Sequence, residues 1–187
     1  MKNKKLLILV LVFVLILGLA YAAYTFLGDR VDANQITPQS TDEAPQDLPE
    51  APDFTVYDEV GNPVKLSDFI GKKPIVLNFW ASWCGPCRSE MPDFNEVSQE
   101  LKDSVQFLMI NVTDGNRETV EIASQFVKDN GFTFPVYYDT SSTAALTYQA
   151  YGLPTTYFIN MEGKIAARAS AAIPRSLLMQ GISLITE

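Results

Sequence analysis

Residues 75–87 read IVLNFWASWCGPC, and this stretch decides the fold. Ile75–Ala81 is a nearly continuous apolar run, as expected of a strand that is buried on both faces. A short turn follows, and a helical pattern begins at Cys84 and continues to about Leu101. The sequence therefore predicts that a buried strand leads to two cysteines, Cys84 and Cys87, at the N-terminus of a helix.

The spacing of the two cysteines has chemical consequences. Two intervening residues at a helix start bring the sulfurs close enough to bond reversibly. The free N–H groups and the positive dipole end of the helix favour a thiolate at Cys84, and the pKa of a thiol in such a setting falls from ~8.5 to between ~3.5 and ~7.5. We predict that Cys84 is the exposed nucleophile and that Cys87, one turn deeper, resolves the mixed disulfide. A purely structural disulfide and a metal site are the alternatives. Trp83 is predicted to shield the sulfurs and to leave one edge accessible to substrate.

The residue counts exclude most classes of enzyme. The chain has 187 residues and a formal net charge of −8, with no histidine and only two cysteines. Without histidine, Ser-His-Asp and Cys-His catalysis are excluded, as are His-ligated zinc, copper and haem sites. Two thiols cannot form a Cys₄ site within one chain, so we predict no metal and no cofactor. No basic block follows the first five residues, and we therefore expect no nucleic-acid partner.

The N-terminal segment has the pattern of a membrane anchor. Residues 6–27 carry no charge and as a helix would span ~33 Å, enough for a hydrocarbon core of ~30 Å. Three lysines precede this segment, so the positive-inside rule places residues 1–5 in the cytoplasm and the rest of the chain outside. We predict an uncleaved, single-pass transmembrane signal-anchor. A signal peptide cleaved after Ala22 is the alternative.

Residues 28–50 are predicted to form a flexible acidic linker. This segment contains six acidic residues, one arginine and few large apolar side chains. A flexible chain of this length has an end-to-end distance of about 25–30 Å. The domain that follows, residues 51–187, is therefore expected to work close to the outer surface of the cytoplasmic membrane without being embedded in it.

Beyond the linker, the apolar and turn patterns alternate between strands and helices. The predicted strands are Phe54–Tyr57, Val64–Leu66, Ile75–Ala81, Val105–Val112, Val136–Tyr138, Thr155–Asn160 and Lys164–Ala169. The predicted helices are Cys84–Leu101, Arg117–Asn130, Ser142–Tyr151 and Ile173–Ile185, the third of them with Ser141 or Ser142 available as N-cap. This alternation predicts an α/β domain whose central sheet has helices on both faces.

Three motifs resemble the thioredoxin superfamily. Residues 83–87, WCGPC, are the active-site sequence of thioredoxin, Pro92 matches the proline inside its active-site helix, and Leu153-Pro154-Thr155 matches its cis-proline loop. The anchor, the acidic linker and a helical insert after the second buried strand make the chain similar to the membrane-anchored TlpA/ResA type of thiol–disulfide oxidoreductase. The resemblance implies a thioredoxin-like fold with a central mixed β-sheet, preceded by a transmembrane helix.

The resemblance also implies a function. Family members of this type are extracytoplasmic reductants that receive electrons from a polytopic membrane donor and reduce disulfides in exported proteins, often apocytochromes c. We therefore expect an exported protein disulfide as the substrate, two partners of these kinds, and a monomer. The alternatives are an exported disulfide oxidant or isomerase, a peroxiredoxin-like peroxidase, and a non-catalytic, chaperone-like tether.

Asn78 departs from the thioredoxin pattern. Thioredoxin has a buried aspartate six residues before its first cysteine, which serves the proton transfers at the second, whereas the amide of Asn78 cannot titrate. Glu90 follows Cys87 by one helical turn and can face the same side. In the ResA type a glutamate at this position tunes the cysteine pair, so Glu90 is our predicted proton acceptor for Cys87. An ordinary solvated helix acid is the alternative.

The loop before the strand at Thr155 is predicted to bind substrate. The resemblance implies a cis peptide bond at Pro154, and a trans proline at the strand entry is the alternative. Such a loop would lie against the sulfurs and turn the backbone groups of Leu153 outward, so that a substrate segment pairs there as an added strand. The insert at residues 115–131 has two open interpretations, substrate specificity and packing.

Overall fold

The structure is a computed structural model that describes residues 48–186, the pair Thr37–Pro38, and two single positions, 15 and 17. The predicted cytoplasmic N-terminus and membrane anchor therefore lie almost wholly outside the described residues, as does most of the predicted linker. Within the part of the chain that is described, no helix combines the length and the apolar character that crossing a bilayer requires.

The described residues form eight strands and four α-helices. In chain order the strands are β1 (Thr37–Pro38), β2 (Thr55–Tyr57), β3 (Pro63–Lys65), β4 (Ile75–Trp80), β5 (Gln106–Asn111), β6 (Val136–Tyr138), β7 (Thr155–Ile159) and β8 (Ile165–Ala169). The helices are α1 (Gly85–Glu100), α2 (Val120–Asp129), α3 (Thr143–Thr147) and α4 (Arg175–Thr186), and a 3₁₀ turn occupies Leu66–Asp68. The strands and helices predicted after residue 50 are all present, with ends that differ by a few residues.

These strands form one mixed sheet with the order β1-β8-β7-β4-β5-β6-β2-β3. The pairs β4–β5 and β5–β6 are parallel, and the remaining pairs are antiparallel. This arrangement confirms the predicted thioredoxin-like α/β fold with a central mixed sheet.

Strand β4 separates two hydrophobic clusters, one on each face of the sheet. Its six residues are all buried, and successive side chains point to opposite faces. Val76 and Trp80 belong to the cluster that includes residues of α1 and α4. Ile75, Leu77 and Phe79 belong to the cluster that includes residues of α3. The unbroken apolar run therefore reflects helices on both faces, as predicted.

Three loops meet at one edge of the sheet. Trp80, the last residue of β4, pairs with Asn111, the last residue of β5, because the two strands are parallel. Strand β7 is antiparallel to β4, and its first residue, Thr155, pairs with Phe79. The turn after β4, the loop after β5 and the loop before β7 consequently lie together, and the two cysteines follow the first of them.

Helix α3 is shorter than predicted and is capped differently. The prediction gave Ser142–Tyr151 with a serine hydroxyl as the cap, whereas the helix ends at Thr147 and Ser142 adopts a left-handed conformation with φ 58° and no side-chain cap bond. The Asp139 carboxylate instead accepts the N–H of Ala145 at 2.8 Å. A carboxylate next to the end of β6, and not a serine hydroxyl, thus satisfies an N–H group in the first turn of α3.

The predicted linker differs from the structure at its centre and its end. Thr37 and Pro38 pair antiparallel with Arg168 and Ala167 of β8, so this part of the predicted tether is a short strand. The carbonyl of Pro49 accepts the N–H of Ile165 at 2.8 Å, so ordered contact with the domain begins before residue 51. The physical reason is that β8 presents unpaired backbone groups on its outer side, which an extended segment can satisfy.

Gly181 allows α4 to approach β7 closely, and Gly181→Ala should destabilise the protein. A Cβ at this position would overlap the ring of Phe158, which is fully buried. We expect a loss of about 1–2 kcal/mol in the free energy of unfolding, because overpacking outweighs the gain in helix propensity. Urea unfolding measures the loss, and Gln180→Ala, an exposed change on the same helix, is the matched control. Equal stability of the two variants would contradict the close approach.

Candidate active site

Cys84 and Cys87 form a disulfide at the N-terminus of α1. Their Cα atoms are 5.3 Å apart. Cys84 is the N-cap of the helix in an extended conformation, with φ −78° and ψ 109°, and its Sγ accepts the N–H of Cys87 at 3.2 Å. Pro86 occupies an early helical position, where its missing N–H costs no hydrogen bond. The local structure is therefore the strand–turn–helix arrangement that the sequence predicts.

The two cysteines differ in burial, but both are largely covered. Cys87 is completely buried, and Cys84 keeps 4% of its surface accessible. Cys87 is thus the deeper of the two, as expected. Cys84 is not the openly exposed side chain that the prediction describes, because in the disulfide form it belongs to the hydrophobic cluster between α1, α4 and the sheet.

Glu90 is a buried carboxylate with donors from two other elements. Its side chain is 3% exposed. Oε1 accepts a hydrogen bond from Nδ2 of Asn78 on β4, and Oε2 accepts one from the backbone N–H of Ile173, just before α4, both at 2.9 Å. Desolvation raises the pKa of Glu90 to about 7, although both hydrogen bonds act in the opposite direction. The alternative of an ordinary solvated helix acid is therefore wrong for Glu90.

Asn78 takes part in the site as a hydrogen-bond donor. It is fully buried on β4, and its Nδ2 also donates to Oγ1 of Thr156 on β7 at 2.9 Å. Asn78 therefore joins the carboxylate of α1 to two central strands. The amide of Asn78 does not titrate, so of these two hydrogen-bonded side chains only Glu90 has a pKa near neutrality.

The turn between β4 and α1 is held by the start of the 115–131 insert, for which the sequence left substrate specificity and packing as open interpretations and singled out no residue. Glu118 is completely buried, and its carboxylate accepts hydrogen bonds from the N–H and the hydroxyl of Ser82 at 2.7 and 2.6 Å. The same carboxylate accepts one from Nδ2 of Asn111 at 2.6 Å. The guanidinium of Arg117 lies over the ring of Trp83, with its carbon 4.0 Å from the ring centroid. Two adjacent loop residues thus contact Ser82 and Trp83, which belong to the turn between β4 and α1, here called the cysteine turn (residues 81–84).

This loop also explains why α2 begins later than predicted. The Oδ1 atom of Asp114 accepts the N–H groups of Asn116 and Glu118 at 2.8 and 2.9 Å, which keeps these residues out of the helix. Thr119 is the N-cap, and its hydroxyl accepts the N–H of Ile122 at 3.2 Å. The sequence signal for the loop is weak: Asn111 is a polar residue at the end of an apolar strand and Glu118 follows in the next loop, and this becomes informative only once β4 and β5 are known to be parallel neighbours.

The peptide bond between Leu153 and Pro154 is cis, as predicted. Pro154 is buried, and the side chain of Leu153 packs against both hydrophobic clusters. The N–H and C=O of Leu153 form no hydrogen bond with other described residues. The loop lies at the same sheet edge as the cysteine turn, because β7 begins opposite the end of β4. The predicted role of Leu153 and Pro154 in substrate binding is compatible with this placement.

The acidic side chains near the cysteines are occupied by protein donors. Both carboxylate oxygens of Glu90 and both of Glu118 accept hydrogen bonds from protein groups. Over the residues described, no group of three or more potential metal ligands is present. The disulfide at the helix N-terminus and the buried carboxylate of Glu90 one turn beyond it can support thiol–disulfide exchange with proton transfer at a carboxylate.

Comparison with known proteins identifies thiol–disulfide oxidoreductases as relatives. Residues 49–168 match the family profile of the AhpC/TSA family. The chain is 34% identical over 137 residues to the thiol-disulfide oxidoreductase ResA of Bacillus subtilis, which covers 73% of this chain and 74% of the relative. It is 37% identical over 116 residues to the protein of the same name from Geobacillus kaustophilus, covering 62% and 64% of the two chains.

Solved structures agree with the sequence relatives. A putative thiol:disulfide interchange protein DsbE from Chlorobium tepidum superimposes with a TM-score of 0.67 at 29% identity, covering 77% of this chain and all of that one. StoA from Bacillus subtilis superimposes with a TM-score of 0.60 at 24% identity, covering 70% and 96%, which supports the fold alone. The chain belongs to the AhpC/TSA family and is a thiol–disulfide oxidoreductase of the ResA type.

Proposed function

We propose that this oxidoreductase reduces disulfides in exported proteins, such as apocytochrome c, on the outer side of the cytoplasmic membrane. The observation that carries the proposal is the Cys84–Cys87 disulfide at a helix N-terminus, with the buried carboxylate of Glu90 on the next turn of the same helix. This arrangement can open and close a disulfide and can hold the proton that each exchange moves.

The proposed location rests on the N-terminal sequence. Residues 6–27 are uncharged and long enough to cross a bilayer, and the lysines before them favour a cytoplasmic N-terminus. The acidic segment that follows separates the anchor from the domain. A formal net charge of −8 also disfavours tight contact between the domain and anionic lipid.

In the first proposed step the reduced protein attacks its target. The Cys84 thiolate, favoured by the dipole and N–H groups of α1, attacks one sulfur of the target disulfide. A Cys84–target disulfide forms, the target S–S bond breaks, and the displaced target thiolate takes a proton from water. The proposed contacts for the target chain are Trp83, which precedes Cys84, and the loop at Leu153 and Pro154, which lies at the same sheet edge.

In the second step Cys87 releases the target. The Cys87 thiol gives its proton to the Glu90 carboxylate and attacks Sγ of Cys84, so that the Cys84–Cys87 disulfide forms and the mixed disulfide breaks. The second target thiolate is expelled and protonated. Two electrons have then passed from the protein to the target, and a polytopic membrane donor must reduce the Cys84–Cys87 pair again.

Proton transfer is the step for which the burial of Glu90 matters most. A carboxyl with a pKa near 7 can accept a proton from a thiol and return it at neutral pH, whereas an exposed glutamate would remain ionised. The hydrogen bonds from Asn78 and Ile173 fix the orientation of the carboxylate. Glu90 is thus proposed as the proton acceptor and Asn78 as the residue that positions it.

The competing functions differ in the direction of electron flow or in the chemistry at sulfur. An exported oxidant would use the same cysteine pair in reverse. A peroxiredoxin-like peroxidase would turn over peroxide, which a direct assay detects. A chaperone-like tether would retain full biological activity in Cys84→Ala. The reductant is preferred because the Gly-Pro dipeptide between the cysteines is the one found in thioredoxin.

The reduction potential of the Cys84–Cys87 couple tests the proposed direction. We expect a value close to the ~−270 mV of thioredoxin, because the dipeptide between the cysteines is the same. Equilibration with glutathione or dithiothreitol buffers, followed by thiol alkylation, measures it. A value near ~−120 mV, typical of a strong oxidant, would contradict the proposal.

Cys87→Ser should trap the protein on its target. The first exchange step needs only Cys84, so a mixed disulfide forms and cannot be resolved. Non-reducing electrophoresis of membranes from cells that express the variant should show a conjugate, and mass spectrometry identifies the attached protein. Cys84→Ser is the matched control and should show none. A conjugate of equal abundance in both variants would contradict the assigned roles, and a conjugate confined to Cys84→Ser would reverse them.

Glu90→Gln should remove the pH dependence of stability between pH 5 and 8 in the oxidised protein. The pKa of Glu90 is about 7 in the folded protein, against an ordinary value of 4.5 for a solvated glutamate, so unfolding at neutral pH releases a proton and becomes easier as pH rises. The unfolding free energy of the wild type should fall by about 2–3 kcal/mol across this window. The chain contains no histidine that would titrate there.

Urea unfolding at pH 5 and pH 8 measures this fall. Glu96→Gln, which removes a carboxylate from the exposed side of the same helix, should keep it. The same Glu90→Gln variant should also slow release of the target from the mixed disulfide. A wild type whose stability is constant from pH 5 to 8 would remove Glu90 from the proposed proton transfer.

A further inference from the structure

Arg117 carries its positive charge against the turn that precedes Cys84. Its guanidinium stacks on Trp83, the residue next to Cys84, and the indole is 42% exposed. The charge therefore lies over the residue that precedes Cys84, to which, under the proposed function, a target chain becomes covalently attached. In a chain with a formal net charge of −8, this places a positive group at the reactive edge of an acidic protein.

The backbone that carries Arg117 is fixed on both sides. The next residue, Glu118, is completely buried, and its carboxylate is hydrogen-bonded to Ser82 and Asn111. Asp114 accepts the N–H groups of two residues in the same loop. An arginine held in this way loses less side-chain freedom when it binds a partner than one on an unrestrained loop.

The charge of Arg117 is available to a partner. The ion pairs between described residues use the cations of Lys128, Lys164 and Arg175. Arg117 forms neither an ion pair nor a side-chain hydrogen bond within that part of the chain. The carboxylate of Asp114, on the same loop, accepts backbone N–H groups through Oδ1, which lower its pKa, and the charge of Arg117 contributes to lowering it, but the two side chains do not form an ion pair. The planar guanidinium therefore keeps its donors for a carboxylate outside the fold.

We propose that Arg117 is a specificity-determining residue that binds an acidic side chain, aspartate or glutamate, close to the target cysteine. The inference rests on the proposed function, since it concerns the chain joined to Cys84. An extended segment advances about 3.3 Å per residue, so a carboxylate one to three positions from the target cysteine can reach a guanidinium that lies over the neighbouring indole. The stack on Trp83 holds the guanidinium above the path that such a segment follows.

The test compares three peptides whose single disulfide is flanked by glutamate, by glutamine or by lysine. Reduced full-length protein in a non-ionic detergent is mixed with each peptide, and the second-order rate constant of reduction is measured. The readout is the ratio of the rate for the glutamate peptide to that for the lysine peptide. A ratio is used because the acidic domain repels the glutamate peptide regardless of Arg117.

Arg117→Gln should lower this ratio about two- to fivefold relative to the wild type, the effect expected of one exposed ion pair. Arg117→Glu should lower it further, and both changes should shrink in ~1 M salt. Lys102→Gln is the matched control, because it removes one positive charge beyond the far end of α1 and should leave the ratio unchanged. A general loss of activity through misfolding would lower both rates and not their ratio.

The outcomes separate the two proposals. If the wild type reduces all three peptides but Arg117→Gln and Arg117→Glu keep its ratio, the role of Arg117 is refuted and the reductase function stands. If the wild type reduces none of the peptides, the reductase function fails and the inference fails with it. If Lys102→Gln lowered the rate ratio by the same amount, the effect would follow from net charge alone, and the inference would also be overturned.

Discussion

The first turn of α1 is capped by a sulfur atom, and the arrangement of the site depends on that contact. Sγ of Cys84 accepts the N–H of Cys87, so the atom that caps the helix is also the atom proposed to attack the target. The N-terminal N–H groups of a helix favour negative charge, which is the charge that this sulfur would carry as the proposed attacking thiolate. Strand β4, buried on both faces, fixes where the helix begins.

Two buried carboxylates, those of Glu90 and Glu118, hold the region around this helix start through different sets of partners. Glu90 accepts hydrogen bonds from β4 and from the segment before α4, whereas Glu118 accepts them from the cysteine turn and from the end of β5. Both are satisfied by protein donors, as buried charged groups require. The turn that carries Ser82 and Trp83 is therefore restrained by the adjoining strands and by a loop that contacts it side by side.

The sequence predicts the strand, the helix and the cis-proline bond of the site better than it predicts the contacts of Glu118. The strand Ile75–Trp80, the helix after it and the cis bond at Pro154 follow from an apolar run, a helix-start pattern and a motif, which are all local. The contact between Glu118 and Ser82 spans 36 residues, and it depends on β4 and β5 being parallel neighbours, which no local pattern states. Strand β1 was missed for the same reason, because it depends on pairing with β8. The cap of α3 is a local contact between Asp139 and Ala145, in which a carboxylate takes the place expected of a serine hydroxyl.

The absence of histidine gives the buried glutamate its importance. Histidine is the side chain whose ordinary pKa lies near neutrality, and this chain contains none. Burial of Glu90 raises its pKa to about 7, while the hydrogen bonds from Asn78 and Ile173 limit the rise. Thioredoxin places an aspartate on the strand, and here that position is an amide that donates to the helix carboxylate instead. The titrating group therefore lies on α1 in this protein, at Glu90, one turn beyond Cys87, and not on the sheet as in thioredoxin. Its protonation depends on how completely the sheet and the segment before α4 bury it.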